Sequence, residues 1–280
     1  MQARAERERD SAKPQLIGRS HHENDMNFRL GLVVLWTVMA AAPLRAQLPS
    51  TTRVPAAGGE IVITALGHAS VQIEHGGKVI IVDPVANQAD LSQAKPADLI
   101  LVTDIHSDHL DPGAIAKLRK PRAPVVIPPD AMAKAPDGIV MRNREMLAGD
   151  LAPAGIPVIT VPAYNIQRGP APGEFYHPRE RGQGYLLTVG GKLVYVAGDT
   201  ECVPAMAQWV RNVEVAFIPM NLPYTMSPSE AAECVKGFKP KIAIPYHFMG
   251  QNPEEFREAL KGEPIEVRIL NWYPNVKAAK

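Results

Sequence analysis

Only two cysteines, Cys202 and Cys234, occur in 280 residues, which excludes a small scaffold held together by many disulfides. Charge of one sign is also missing. Thirty Lys and Arg oppose 29 Asp and Glu for a net charge of +1, with no basic stripe. Phosphate backbones are held by clustered cations, so nucleic acid is not an expected partner. An apolar run long enough to span a bilayer is absent too. The run from Leu30 to Leu44 has about 15 residues, against the roughly 20 that a spanning helix needs. No tandem repeat or low-complexity block is visible in the part after it. What remains is a chain that is 46% hydrophobic, enough for one large domain or two small ones.

The short apolar run has a different reading. In "MNFRLGLVVLWTVMAAAPLRA" a positive start at Arg29 precedes the run, and Ala46 ends it, which is the layout of a cleaved secretory signal peptide. The expected organisation is a leader or over-extended start over 1–25, a signal peptide over 26–46 and a single domain over 47–280. The mature chain would then be periplasmic or secreted, with no stable membrane span after cleavage. In that compartment Cys202 and Cys234 are able to pair. The sequence leaves open whether they form a bridge or stay as thiols.

From Glu60 onward, short β-type runs alternate with amphipathic stretches. "EIVITAL", "SVQIEH" and "KVIIVDP" follow one another across glycine breaks, which predicts an antiparallel meander. "DLILVTD" is nearly continuous in apolar residues, as in a strand buried on both faces. Further strands are expected at "APVVIP", "IPVITVPA", "GYLLTV", "KLVYVAGD", "VEVAFIP", "KIAIPYHF" and "IEVRIL". Helices are expected at "PGAIAKLRK", capped by Asp111, and at "PAMAQWV", "SPSEAAECVKGF" and "NPEEFREALKG". Ser227 and Glu230 have the spacing of a capping box. Two strand-rich halves that each close with helices imply an α/β fold with sheets packed face to face.

"TDIHSDHLDP" at 103–112 carries the chemistry. His106, Asp108 and His109 fall within four residues on a loop leaving a strand, and such side chains are able to converge on cations. Asp199 ends the strand of "YVAGDTE", and His247 ends that of "IPYHF". Taken singly these are turn formers or core residues; as a set at strand ends they predict a metal site. The glycines of "GQGYLLTVGG" lack the spacing of a phosphate cradle and read as hairpin punctuation.

With these motifs the sequence resembles the metallo-β-lactamase superfamily. "LGHAS" at 66–70 and "YVAGDTE" at 195–201 are similar to the branch of ascorbate-phosphate lactonases and N-acyl phosphatidylethanolamine phospholipase D. The resemblance implies a four-layer αββα sandwich of two mixed β-sheets with outer helices. It further implies two divalent metal ions, zinc or manganese. His106 would serve the first ion, Asp108, His109 and His247 the second, and Asp199 would bridge them. The remaining ligand is His177 or Asn165, with His177 preferred because imidazole binds transition metals better than an amide. His68 has either a place facing the active site or a purely structural one, and Tyr224 either walls a pocket or packs.

One position departs from the family pattern. Where the superfamily motif has its first histidine, this chain has Asp104. As a ligand, the harder carboxylate would favour oxygen-loving ions such as Mn²⁺ and weaken the Lewis acid. Two outcomes are open: a working site with altered metal preference, or an enzyme that runs on one ion. The expected activity is metal-dependent hydrolysis of a small-molecule ester, lactone or phosphodiester by an activated hydroxide oriented by Asp108. The alternatives are a degenerate binder without turnover and a periplasmic β-lactamase.

Overall fold

Two β-meanders, each running on into parallel strands, build the protein. A computed structural model describes residues 50–274, so the expected leader and signal peptide lie outside the described residues. The first sheet contains β1 (Thr51–Ala56), β2 (Gly59–Gly67), β3 (Ser70–His75), β4 (Lys78–Val82), β5 (Leu99–Leu101), β6 (Val125–Ile127) and β7 (Ile139–Val140), in that spatial order. The second contains β8 (Met146–Leu147), β9 (Val158–Ala163), β10 (Gly182–Val189), β11 (Lys192–Val196), β12 (Val215–Pro219), β13 (Ile242–Tyr246) and β14 (Glu266–Val267), also in chain order across the sheet. In both, the first four strands pair antiparallel and the last three add in parallel. The fold is therefore the expected α/β sandwich of two mixed sheets.

Side-chain alternation decides which face goes where. In β4, Ile80 and Val82 join Val158, Tyr185, Leu187 and Phe217 of the other sheet in one core. Val79 and Ile81 point the opposite way and pack with Leu110, Ile115 and Leu118 under α1 (Pro112–Leu118). Both faces of the strand are thus covered, which is why it reads as a continuous apolar run. Truncating one such buried side chain costs roughly 2–5 kcal/mol. The helices α2 (Pro204–Trp209), α3 (Pro228–Phe238) and α4 (Pro253–Ala259) contribute Met206, Val235, Phe238 and Phe256 to the larger core.

Helix starts follow the predicted capping chemistry. The Asp111 carboxylate accepts from the backbone N–H groups of Gly113 and Ala114, and Ser227 and Glu230 form the full capping box. The strand β1 was not anticipated. It carries Pro55, which has no N–H to give a ladder, and it lies at the sheet edge where that is tolerated. The two-residue strands β7 and β8 are too short to leave a period in the sequence. Gly190 and Gly191, at positive φ, make the β10–β11 hairpin as expected. Gly182 and Gly184, by contrast, lie within β10, where a Cβ would sit 2.7 Å from Asp104 Oδ2 and from the Ala197 carbonyl, respectively. They are contact glycines, not turn glycines.

Cys202 and Cys234 form a disulfide, with Cα atoms 5.5 Å apart. It ties the segment after β11 to α3. The two cysteines lie 32 positions apart, and closing a loop of that length in the unfolded chain stabilises the fold by about 3–4 kcal/mol. Urea denaturation of Cys202→Ser/Cys234→Ser is expected to show a loss of that order relative to the oxidised parent. An unchanged midpoint would show that the bridge does not form.

Candidate metal centre

The candidate residues gather at the C-terminal ends of strands, where backbone and loops open a crevice. His68 lies in the β2–β3 turn, and Asp83 directly follows β4. The 103–111 loop follows β5, Asn165 follows β9, Asp199 follows β11 and His247 follows β13. Three of them hold left-handed backbone: φ is +48° at His68, +46° at Asp83 and +48° at His247. Non-glycine residues pay roughly 1–3 kcal/mol for such conformations, which collect at functional sites. Backbone bonds brace the two histidines, since His247 N–H donates to the His68 carbonyl and His68 N–H to that of Trp272.

His109, Asp199 and His247 are buried and offer ligand atoms all within 4.8 Å of one another. His109 Nε2 is 3.3 Å from Asp199 Oδ2, and His247 Nε2 is 3.5 Å from Asp199 Oδ1. Asp108 Oδ2 lies 3.4 Å from His247 Nε2 and 3.9 Å from His109 Nε2. Tetrahedral zinc with bonds of about 2.0–2.1 Å separates its ligand atoms by about 3.3 Å, so these spacings suit one ion. Hydrogen bonding points the same way. His109 Nε2, Asp199 Oδ1 and both ring nitrogens of His247 are buried without a hydrogen-bond partner. Interiors avoid such groups, and a shared cation would satisfy several of them together.

The charges are arranged for a cation. Burial opposes ionisation of Asp199, yet His247, His109 and His177 around it hold its pKa well below the usual carboxylate range. Burial likewise opposes protonation of His109, but the carboxylates of Asp199 and Asp83 raise its pKa well above the ordinary histidine value. Burial opposes ionisation of Asp108, but the adjacent imidazoles of His247 and His68 outweigh it and lower the pKa.

His68 is placed beside this cluster. Its Nε2 is 3.2 Å from Asp108 Oδ2, its Nδ1 is 3.1 Å from the Tyr273 hydroxyl, and its ring centroid is 3.9 Å from that of His247. His68, Asp108 and His247 form a second group of converging ligand atoms. Of His177 and Asn165, it is His177 that faces the site, with Nε2 3.1 Å from Asp199 Oδ2. Asn165 stands behind it. The Asn165 Oδ1 atom accepts from the His177 backbone N–H at 2.7 Å and from its Nδ1 at 2.8 Å, which leaves Nε2 free to point inward. The Asn165 amide in turn donates to the carbonyl of Tyr224, whose ring packs edge-on against Tyr176. His106 is edge-on to His177, with its side chain 41% exposed. Asp104 is buried and belongs to neither converging group among the described residues.

Several contributors went unread in the sequence. Asp83 accepts from the Thr103 backbone N–H, from the Thr103 hydroxyl and from His109 Nδ1, the last at 2.8 Å. Its signal was the strand-final acid of "KVIIVDP", the same signal that marked Asp199. Glu201 accepts from the backbone N–H groups of Ile166, Gln167 and Arg168 and so fixes the loop that carries Asn165. Tyr273 and Arg181 left no local signal. Because Asp83 sets the tautomer and tilt of His109, Asp83→Asn is expected to weaken zinc binding by about 10–100-fold in competition with a chromophoric chelator. Unaltered affinity would remove His109 from the ligand set.

A family profile described as the Beta-lactamase superfamily domain matches residues 62–247. A UPF0173 metal-dependent hydrolase of Thermococcus kodakarensis is 33% identical over 226 residues, covering 75% of this chain and 96% of its own. The crystal structure of a Parabacteroides distasonis protein classed as a metal-dependent hydrolase is 37% identical, with a TM-score of 0.73, over 80% of this chain and 99% of that one. Igni18, a metallo hydrolase of Ignicoccus hospitalis, shares the fold at 22% identity and a TM-score of 0.60, over 75% of this chain and 94% of its own. Fold, converging ligands and relatives agree: the chain belongs to the metallo-β-lactamase superfamily and is a metal-dependent hydrolase.

Proposed function

We propose that the protein hydrolyses a small ester, lactone or phosphodiester at a divalent ion, zinc or manganese, held by His109, Asp199 and His247 with Asp108. The observation that carries this reading is the set of buried, unpartnered atoms on His109, Asp199 and His247. When bound, an ion there supplies a Lewis acid that acidifies water and polarises the electrophile. No protein nucleophile is needed.

The chain's own residues would then divide the remaining work. Asp108 is the partly open carboxylate of the cluster, its side chain 27% exposed, so it is placed to orient the attacking water by a hydrogen bond. His68 holds that carboxylate from behind and is itself fixed by Tyr273, which makes it a positioning residue. His106, with its side chain 41% exposed, and the Tyr176–Tyr224 pair are the side chains we assign to contact with substrate. Exposed Ile166, Phe175, Leu222, Tyr224 and Met249 sit on the loops that carry the site residues or lead from them, so the rim suits a substrate with an apolar portion.

The Cys202–Cys234 bridge supports a second part of the proposal, that the mature chain works outside the reducing cytosol, in a periplasm or secreted. Among the described residues no helix is long and apolar enough to cross a membrane.

Chelator-treated protein is expected to be inactive on an ester, lactone and phosphodiester panel and to regain activity with added zinc or manganese. Asp199→Ala should bind little metal and show no rescue. Turnover by verified metal-free protein would overturn the proposal, and absence of turnover in the fully loaded protein across the panel would favour the degenerate binder. Nitrocefin hydrolysis at rates above the panel esters would instead favour the β-lactamase alternative.

A further inference from the structure

The two halves of the centre differ in what they lack. Among the described residues every buried site atom without a hydrogen-bond partner lies on His109, Asp199 or His247; Asp104 and His177 contribute none, and the side chain of His106 is 41% exposed. Nor do Asp104, His106 and His177 form a converging ligand group there. On their side the one buried carboxylate, Asp104, is already satisfied by protein.

Arg181 does the satisfying. Asp104, 1% exposed, turns Oδ1 to the backbone N–H of His106 at 3.0 Å. Its Oδ2 accepts from Arg181, with Nη2 at 3.3 Å and Nε at 3.4 Å. The guanidinium is anchored from its other side, since Nη2 also donates to the Tyr176 carbonyl at 2.8 Å, and its side chain is only 16% exposed. The next residue makes this approach possible. Gly182 passes so close that a Cβ would stand 2.7 Å from Asp104 Oδ2, and Gln183 N–H then bonds the Thr103 carbonyl, locking β10 against the start of the ligand loop.

A carboxylate stands where the superfamily motif has histidine, and an arginine is seated on that carboxylate. An imidazole needs no cation and offers a lone pair; Asp104 needs a cation, and Arg181 provides one that cannot dissociate or titrate. We propose that the Arg181–Asp104 pair takes the place of the first metal ion, so that this chain binds one divalent ion, on the His109 side, instead of two. The inference rests on the ion site proposed above, and it decides between the two outcomes that Asp104 left open. Arg181 would also repel a second dication and leave His106 and His177 free to contact substrate.

The test is metal stoichiometry. The full-length chain would be loaded with zinc, dialysed and measured by plasma mass spectrometry beside Arg181→Lys and Asp104→His/Arg181→Ala. One equivalent is expected in the parent and in Arg181→Lys, rising to two in the double variant, which regains a ligand and loses the cation. Manganese-loaded parent should give the electron paramagnetic resonance spectrum of an isolated ion, not of a coupled pair. Two equivalents in the parent, or a coupled spectrum, would overturn the proposal. A folded double variant that stays at one equivalent would also overturn it. Should the double variant not fold, Arg181→Gln replaces it: a second, weaker zinc-binding event is expected by titration calorimetry, and a single event counts against the proposal. A parent with no metal at all would strike at the ion site itself, a distinguishable failure.

Discussion

A single imidazole gripped by two carboxylates closes this end of the sandwich. His109 presents Nδ1 to Asp83 at 2.8 Å and Nε2 to Asp199 at 3.3 Å. The two acids occupy equivalent places, since Asp83 follows the fourth strand of the first sheet and Asp199 follows the fourth strand of the second. Below this level the sheets adhere through apolar side chains; here they meet through charge. Two buried acids facing one imidazole need a further positive charge to be stable, because the low-dielectric interior offers them no water. A ligand that binds only the folded state stabilises it by mass action, about 4 kcal/mol at a thousandfold excess over its dissociation constant. The metal centre is thus a structural joint between the sheets as well as a reactive one.

The strained backbone around the joint follows from the same requirement. His68, Asp83 and His247 each hold a positive φ that a non-glycine residue avoids. These turns direct side chains at the end of a strand back over the crevice. The compensation is local: the backbone bonds from His247 to His68 and from His68 to Trp272, and the three donors on Asp83. Preorganisation of this kind keeps ligand atoms close before an ion arrives.

Most of the architecture was legible because it is written in short-range patterns. Alternation in "SVQIEH", the continuous run in "DLILVTD", the Asp111 cap and the Ser227–Glu230 box each specify their element locally, and each element formed. The ligand loop was legible for the same reason, being contiguous. What escaped was chemistry made by contacts distant in sequence. Asp83 meets His109 across 26 positions, His68 meets Tyr273 across 205, and Arg181 meets Asp104 across 77. The preference for His177 over Asn165 rested on ligand chemistry alone, and nothing in the sequence signalled that both are used: one faces Asp199 and the other sets its tautomer. The glycines of β10 were misread as punctuation because close approach, unlike a turn, leaves no mark on neighbouring residues.

With one ion in place of two, as proposed, Arg181 would change the electrostatic character of the centre as well as its ion count. Asp83, Asp104, Asp108 and Asp199 face one arginine and, with one site filled, one divalent ion, so the loaded centre stays net negative. A second ion would have reversed that balance. An anionic phosphodiester gains most from two dications that neutralise its oxygens; it gains less where carboxylates still outnumber cations. A neutral ester or lactone carbonyl pays no such repulsion on approach, and needs positive charge only as its oxygen becomes anionic in the transition state. Through this balance, a one-residue departure at Asp104 bears on which electrophile the site accepts: with Arg181 in the first ion's place, the neutral carbonyl substrates of the proposed set fit the charge of the centre better than the phosphodiesters.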